Sequence, residues 1–363
     1  MKNKIYVTKT FLPPFKEYAK HLKKIWRSNH LTNQGPLLQE FEKKCRKYLR
    51  VKNFHFVTNG TIALQVALRA LDITEGEVIT TPFTYVATTS AILWERCQPV
   101  YVDIDPKTLC IDANKIEEAI TKKTRAILAV HVFGFPCNIE AIEKIAKKYN
   151  LKVIYDAAHC FGVKYGGKSI YEYGDISIGS FHATKVFHTI EGGCLVCRDE
   201  KINKRIELVK RFGHEGDQHF TLGLNAKASE FQAAMGLVNL DYVDDIIMKR
   251  KLLCETYDKF LNNGYKRHVP KNKFVYNYAY YPIIFNSENN TIEAIKKLNR
   301  FGIYPRRYFY PSLNTLVYHK KKYFCAVSES VAKRILCLPL YNDLKINNVK
   351  KICRIINEKK KIA

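Results

Sequence analysis

The sequence predicts an α/β protein: a mainly parallel sheet between helical layers, followed by a smaller α/β domain. Three observations carry this. From the N-terminus to about residue 240, strand-like and helix-like stretches alternate. The strands are near-continuous Val/Ile runs, as expected of strands buried on both faces. The chain has 363 residues, which at ~150 residues per domain suggests roughly two domains.

The elements follow in order. Phe15, Tyr18, Ala19, Leu22, Ile25 and Trp26 recur at helical spacing, so 14–27 reads as an amphipathic helix. Residues 54–57 read as a short strand and 61–71 as a helix. EVITT and PVYVDI are strands flanking a helical stretch at 84–95. Asp112 caps an expected helix, NKIEEAI, which leads into the buried strand RAILAVHVF. Asn138 opens the helix IEAIEKIAKKYN, and the apolar strand LKVIYDAA follows. Near 240 the rhythm changes. Residues 226–260 read as long helices. KFVYNYAYYPIIF and KRILCLPLY are strand-like, and NTIEAIKKLNRF and NNVKKICRIINEK are helical. The division predicted is 1–245 for the large domain and 246–363 for the small one.

Composition excludes several classes. Hydrophobic residues at 47% and charged residues at 26% are ordinary globular values, unlike those of disordered, collagen-like or coiled-coil chains. No apolar run approaches the ~18 residues of a membrane span. The opening MKNKIYVTKTFLPPF has no apolar signal region. Eleven cysteines without a framework point to reduced thiols and a cytoplasmic setting. The net charge of +26 invites a nucleic-acid reading. The basic residues are spread along the chain, however, with only short clusters such as Lys320 to Lys322 and Lys359 to Lys361. A solvated surface around an enzyme with an anionic ligand is the expectation, with neither nucleic acid nor membrane as partner.

Four stretches bear chemistry. In Thr58-Asn59-Gly60-Thr61, Gly60 permits close backbone approach before a helix whose free N–H groups suit an anion; many ordinary strand-to-helix turns look the same. In Tyr155-Asp156-Ala157-Ala158-His159 an acid ends an apolar strand, where open α/β sheets bind ligands. It could cap a helix or hold a cationic ring nitrogen. In Ser180-Phe181-His182-Ala183-Thr184-Lys185, followed by Glu191-Gly192-Gly193, a lysine lies between two strands. It is a surface lysine or, if confined, a nucleophile. The fourth, Asn225 through Gly236, reads as a helix with a polar start. Cys194 and Cys197 fall in a strand where positions three apart face opposite sides, which argues against a metal or redox pair. Cys160 beside His159 is adjacent along one backbone and so a poor nucleophile dyad.

GSFHATKVFHTIEGG resembles the Schiff-base lysine motif of the DegT/StrS aminotransferases, the pyridoxal-phosphate-dependent sugar aminotransferases. LTNQGPLLQEFE, TNGTIALQVAL, VITTPFTYVATTSAI, PVYVDIDPKTL, VIYDAAHCFG and NAKASEFQAAMG match as well, in family order. GIYPRRYFYPSL and CLPLYNDL extend the match more loosely. The resemblance implies a fold type I enzyme, with pyridoxal 5'-phosphate on Lys185 and Asp156 on its pyridinium nitrogen. It implies that His159 supports the ring or Asp156, and that Tyr85 stacks on the ring. Gly60, Thr61 and Ser180 would hold the phosphate, with Asn225 reaching it from the partner subunit of a homodimer. Arg211, Arg306, Arg307 and Tyr310 are candidate substrate contacts. The phosphate turn has Asn59 where many members have Ser, and a lysine rather than the histidine of the dehydratase branch stands at 185. No metal is implied.

The implied reaction takes an amino group from L-glutamate and passes it to a nucleotide-linked keto-sugar. The opening VTKTFLPPFKEYAKHLKKIW, the LTNQGP loop and the lysine motif are most similar to members that aminate dTDP-4-keto-6-deoxyglucose at C-4. The alternatives are C-3 amination of the 3-keto isomer, a free amino acid or a cyclitol as substrate, and a regulatory or DNA-binding protein on the same scaffold.

Overall fold

The structure, a computed structural model, describes residues 4–262, 269, 274–319 and 321–358. Lys320 and the 359–361 basic cluster lie outside these. A short strand β1 (Ile5–Tyr6) precedes helices α1 (Phe15–Ser28) and α2 (Pro36–Leu49). Pro36 opens α2 at a position where its missing N–H costs nothing. The helix then buries Leu37, Phe41, Cys45 and Leu49, one stripe at four-residue spacing.

The α/β alternation comes next: β2 (Asn53–Val57), α3 (Gly60–Ala70), β3 (Glu77–Thr80), α4 (Val86–Trp94), β4 (Gln98–Tyr101), β5 (Thr124–Val130), α5 (Ile139–Tyr149) and β6 (Lys152–Asp156). A small hairpin, β7 (Lys164–Tyr165) and β8 (Lys168–Ser169), leads to β9 (Ile176–Ser180) and β10 (Gly193–Cys197). Then come α6 (Glu200–Val209), the hairpin β11 (His214–Glu215) and β12 (Gln218–His219), α7 (Glu230–Leu240) and α8 (Val243–Phe260). The C-terminal part holds β13 (Phe274–Val275), β14 (Tyr281–Ile284), α9 (Glu288–Arg300), β15 (Ile303–Tyr304), α10 (Ala326–Arg334), β16 (Ile335–Leu338) and α11 (Ile346–Asn357).

Seven strands form one sheet in the order β2-β10-β9-β6-β5-β3-β4. From β9 to β4 the pairs are parallel, and β10 runs antiparallel to both its neighbours. Both faces are buried, as the unbroken apolar strands demanded. On β6, Val153 and Tyr155 enter one core with Phe41, Phe54 and Phe181, while Ile154 enters the other with Leu64, Leu68 and Ile92. Cys194 and Cys197 divide between the same two cores, on opposite faces of β10. All eleven cysteines are buried and unbridged. A further core unites β14 and β16 with α8, α9 and α11 through Tyr257, Tyr281, Leu298, Leu336 and Ile352. Ile5 belongs to it because β1 pairs in parallel with β15, so the N-terminus joins the C-terminal part.

Two expected elements differ. NKIEEAI is not an α-helix but two 3₁₀ turns, Ala113–Lys115 and Glu117–Ala119. The stretch is too short to repay helix nucleation, and Ile116 is drawn fully into the core. Asp112 still caps it, accepting from the Asn114 N–H at 3.1 Å. The strand expected to run to Phe133 stops at Val130; Phe133 turns with φ 57° and Gly134 with φ 89°. Helices α2, α6 and α10 are additional to the elements read from the sequence. Among the described residues no helix is long and apolar enough to cross a membrane.

Candidate active site

The parallel strands end on one edge of the sheet, and a cavity of about 610 Å³ opens there. Its lining joins Gly60, Thr61, Tyr85, Asp156, His159, Ser180, Lys185 and Arg306, residues separated by up to 246 positions in the chain. It thus gathers every cofactor-side residue expected from the sequence except Asn225.

Asp156 is the last residue of β6 and 6% exposed. Its Oδ1 accepts from the Ala158 N–H at 3.1 Å and its Oδ2 from the Thr88 hydroxyl at 2.9 Å. Since Thr88 spends its proton on Asp156, Thr84 must donate in the 3.0 Å contact between the two threonines. A Thr84–Thr88–carboxylate chain therefore fixes the acid. Burial pushes the Asp156 carboxyl up, against the Ala158 N–H, the Thr88 hydroxyl and the Lys185 charge.

Lys185 follows the connection out of β9, its backbone N–H donating to the His182 carbonyl at 2.9 Å. Burial drops its amine from 10.5 to about 8, opposed by Asp156. Among the described residues no hydrogen bond or ion pair engages its Nζ. An unpartnered amine that burial makes easier to deprotonate is suited to nucleophilic attack.

His159 is neutral, pushed well below its ordinary range by burial and then by Lys185. The Phe133 N–H donates to its Nδ1 at 3.2 Å, so Nε2 carries the proton. The imidazole lies parallel to Phe133 and Phe309, with Tyr280 edge-on at 4.8 Å. The turn at Phe133 is what delivers that N–H.

Gly60 begins α3 beneath Ser180: a Cβ there would come within 2.9 Å of the Ser180 Cβ. Asn59 caps the helix, accepting from the Ile62 N–H at 2.9 Å, so its side chain is committed. The N–H groups of Gly60 and Thr61 and the Thr61 hydroxyl are left for an anion. Tyr85 precedes α4 at the mouth, 59% exposed.

The other expected contacts divide. Arg306 lines the cavity, its guanidinium over the Tyr308 ring at 5.2 Å, with no carboxylate partner among the described residues. Arg307 points away, paired to Glu288 at 3.0 Å and stacked on Tyr310, which is itself exposed outside the cavity. Arg211 lies in a separate recess with Asn33, Gln34 and Lys227, and Asn225 bridges to its backbone. Asn225 is exposed and reaches no part of its own chain's cavity. The sequence reading missed Thr84 and Thr88, although their four-residue spacing in TPFTYVATTS was visible. It also missed Phe133, Tyr280 and Phe309, which no local motif marks.

The DegT/DnrJ/EryC1/StrS aminotransferase family model matches residues 15–357. The chain belongs to this family. It is 41% identical to a dTDP-4-amino-4,6-dideoxy-D-glucose transaminase of Shigella dysenteriae, over 99% of this chain and 100% of that one. A transaminase of the same description from Escherichia coli is 40% identical, over 97% and 98%. Among solved structures, DesI in the presence of its TDP-sugar product superposes with a TM-score of 0.94 at 28% identity, covering 98% of this chain and 93% of that chain. The chain is therefore a pyridoxal-phosphate-dependent aminotransferase of the fold type I architecture expected from its sequence. The residues present fit the cofactor. A buried carboxylate without a counter-charge is costly, and a protonated ring nitrogen offsets that cost. The unpartnered amine of Lys185 and the glycine-lined start of α3 would suit its aldehyde and phosphate ends.

Proposed function

We propose that this aminotransferase moves the amino group of L-glutamate to C-4 of dTDP-4-keto-6-deoxyglucose, giving dTDP-4-amino-4,6-dideoxyglucose. The observation that carries this is the end-to-end match, at 41% identity, to a transaminase of that amino sugar. Bound pyridoxal phosphate supplies the electron-withdrawing ring that the chemistry needs. The chain supplies the rest. Asp156, held by Thr88, keeps the ring nitrogen protonated. The Nζ of Lys185 takes and returns the proton that moves during amino transfer. His159 orients the ring through its Nε2–H, and Tyr85 covers it. Gly60, Thr61 and Ser180 hold the phosphate. Arg306 is the cation best placed for a substrate anion, with Arg211 as a further contact in the assembled enzyme.

The working unit is a homodimer in which Asn225 completes the partner's phosphate site, as its outward position suggests. The division of labour is a cofactor-binding domain at 1–245 and a small domain at 246–363, in a cytoplasmic enzyme. The test is product analysis. The enzyme with glutamate and dTDP-4-keto-6-deoxyglucose should yield the 4-amino sugar by mass and NMR. Conversion of the 3-keto isomer alone would overturn the C-4 assignment.

A further inference from the structure

The cavity holds one polar pair that the proposed roles leave unused. His182 and Glu191 both line it, beside Lys185. They lie at facing ends of the link between β9 and β10, where Ser180 pairs with Gly193. The ring of His182 and the backbone of Glu191 are held in place. The Glu191 carbonyl accepts from the Thr189 hydroxyl at 2.8 Å and from the Gln232 amide at 2.7 Å. The Thr184 N–H donates to Nδ1 of His182 at 3.2 Å, and the Thr184 hydroxyl lies 2.8 Å from the same atom. With Nδ1 accepting from Thr184, Nε2 is the ring's donor, and it faces Glu191 Oε1 at 3.4 Å.

That separation is well beyond the ~2.7–2.9 Å of a charge-assisted hydrogen bond. An anchored ring donor and a carboxylate that is 54% exposed thus stand side by side without a good bond between them. A hydroxyl matches both, since it accepts from Nε2–H and donates to the carboxylate. A carbonyl oxygen matches one only, since it cannot donate. Against the carboxylate it leaves two acceptors facing each other, and a site built to pair with a hydroxyl discriminates strongly against a ligand lacking one.

We propose that His182 and Glu191 recognise the hydroxyl beside the reacting carbonyl of the sugar and so decide which keto isomer is aminated. This rests on the nucleotide keto-sugar reading above. With the nucleotide anchored in one place, the 4-keto sugar brings its C-3 hydroxyl to the pair. The 3-keto isomer in the same pose brings a carbonyl and is turned away. The pair is assigned to the acceptor half of the reaction, where the sugar hydroxyl is present, and not to the donor half.

The test compares Glu191→Gln and Glu191→Ala with the wild-type holoenzyme. The expected loss in kcat/KM for dTDP-4-keto-6-deoxyglucose is about 10- to 100-fold, carried mainly by KM. In Glu191→Gln the amide N–H₂ donates to a carbonyl, so the preference for the 4-keto over the 3-keto isomer should shrink by about tenfold or more. The glutamate half-reaction, followed alone by absorbance, should stay within about threefold. Calorimetry should show weaker binding of the dTDP-amino sugar and unchanged binding of dTDP. Variants that keep kcat/KM, isomer preference and product affinity near wild-type values overturn the inference while leaving the substrate reading intact. A wild-type enzyme that completes the glutamate half-reaction yet aminates neither isomer overturns the substrate reading, and this inference with it.

Discussion

At the scale of single residues, the chemistry turns on how Lys185 and Asp156 are solvated. Burial lowers the amine to about 8 and raises the carboxyl, and each group's charge counters the shift of the other. A free amine in water would stay protonated to 10.5. Apoenzyme should therefore capture pyridoxal phosphate at a rate that rises through about pH 8. Stopped-flow absorbance across pH 6.5–10 measures this on a roughly three-unit window around that value. A rate still climbing in proportion to hydroxide up to pH 10 would contradict it. The ordered set of family motifs, not any one local pattern, pointed to Lys185, Asp156, His159, Gly60 and Ser180, and all five line one cavity. The same stretch did not tell Arg306 from Arg307. They are neighbours, yet only Arg306 faces the cavity, while Glu288 on α9 draws Arg307 away. The deciding partner lies on another element, and no local pattern announces it.

At the scale of elements, α2, β2 and α6 are tied together by a buried polar cluster. Lys210, 1% exposed, lies 2.9 Å from Glu207 and 3.7 Å from Glu42. His55 contacts Glu207 at 2.8 Å and Asn203 at 2.7 Å. Removing one member of a buried ion network strands the others. Lys210→Met should cost about 3–5 kcal/mol, read as a fall in the urea midpoint; an unchanged midpoint would mean that the cluster is dispensable. Burial alone would raise the Glu207 carboxyl, but His55 and Lys210 hold it at about 2. The stability it contributes is therefore complete above its ordinary 4.5 and is lost as the pH falls from there towards 2. Periodicity located α1, α5, α8, α9 and α11 and the Val/Ile strands to within a few residues, but it passed over α2. It failed at NKIEEAI, whose composition is helical but whose length is that of a turn. It also failed beyond Val130, where an apolar run continues although the backbone leaves the sheet. The Phe133 N–H is needed by His159, and that tertiary demand overrides strand propensity.

At the scale of the whole molecule, the sequence conveyed two α/β parts but not how the N-terminus crosses between them. β1 is two residues long, too short for a period, and its pairing with β15 spans almost the whole chain. Asn225, exposed and away from its own chain's cavity, is the feature that a dimer explains. Lys185→Ala and Asn225→Ala homodimers should both be nearly inactive. Mixed and reassembled, they should regain activity, because half of the sites in a hybrid carry neither substitution. Recovery approaching one quarter of wild type is the statistical expectation for random reassortment. No recovery from demonstrably mixed dimers would place Asn225 in its own subunit's site or outside any site.

The most direct test of the account is where the cofactor attaches. Reduction of the yellow holoenzyme with borohydride, followed by digestion and mass spectrometry, should place the pyridoxyl group on one peptide, that of Lys185. The Lys185→Ala enzyme should retain no pyridoxyl label and lose turnover. Label on another lysine, or a Lys185→Ala enzyme that still turns over normally, would contradict the assignment.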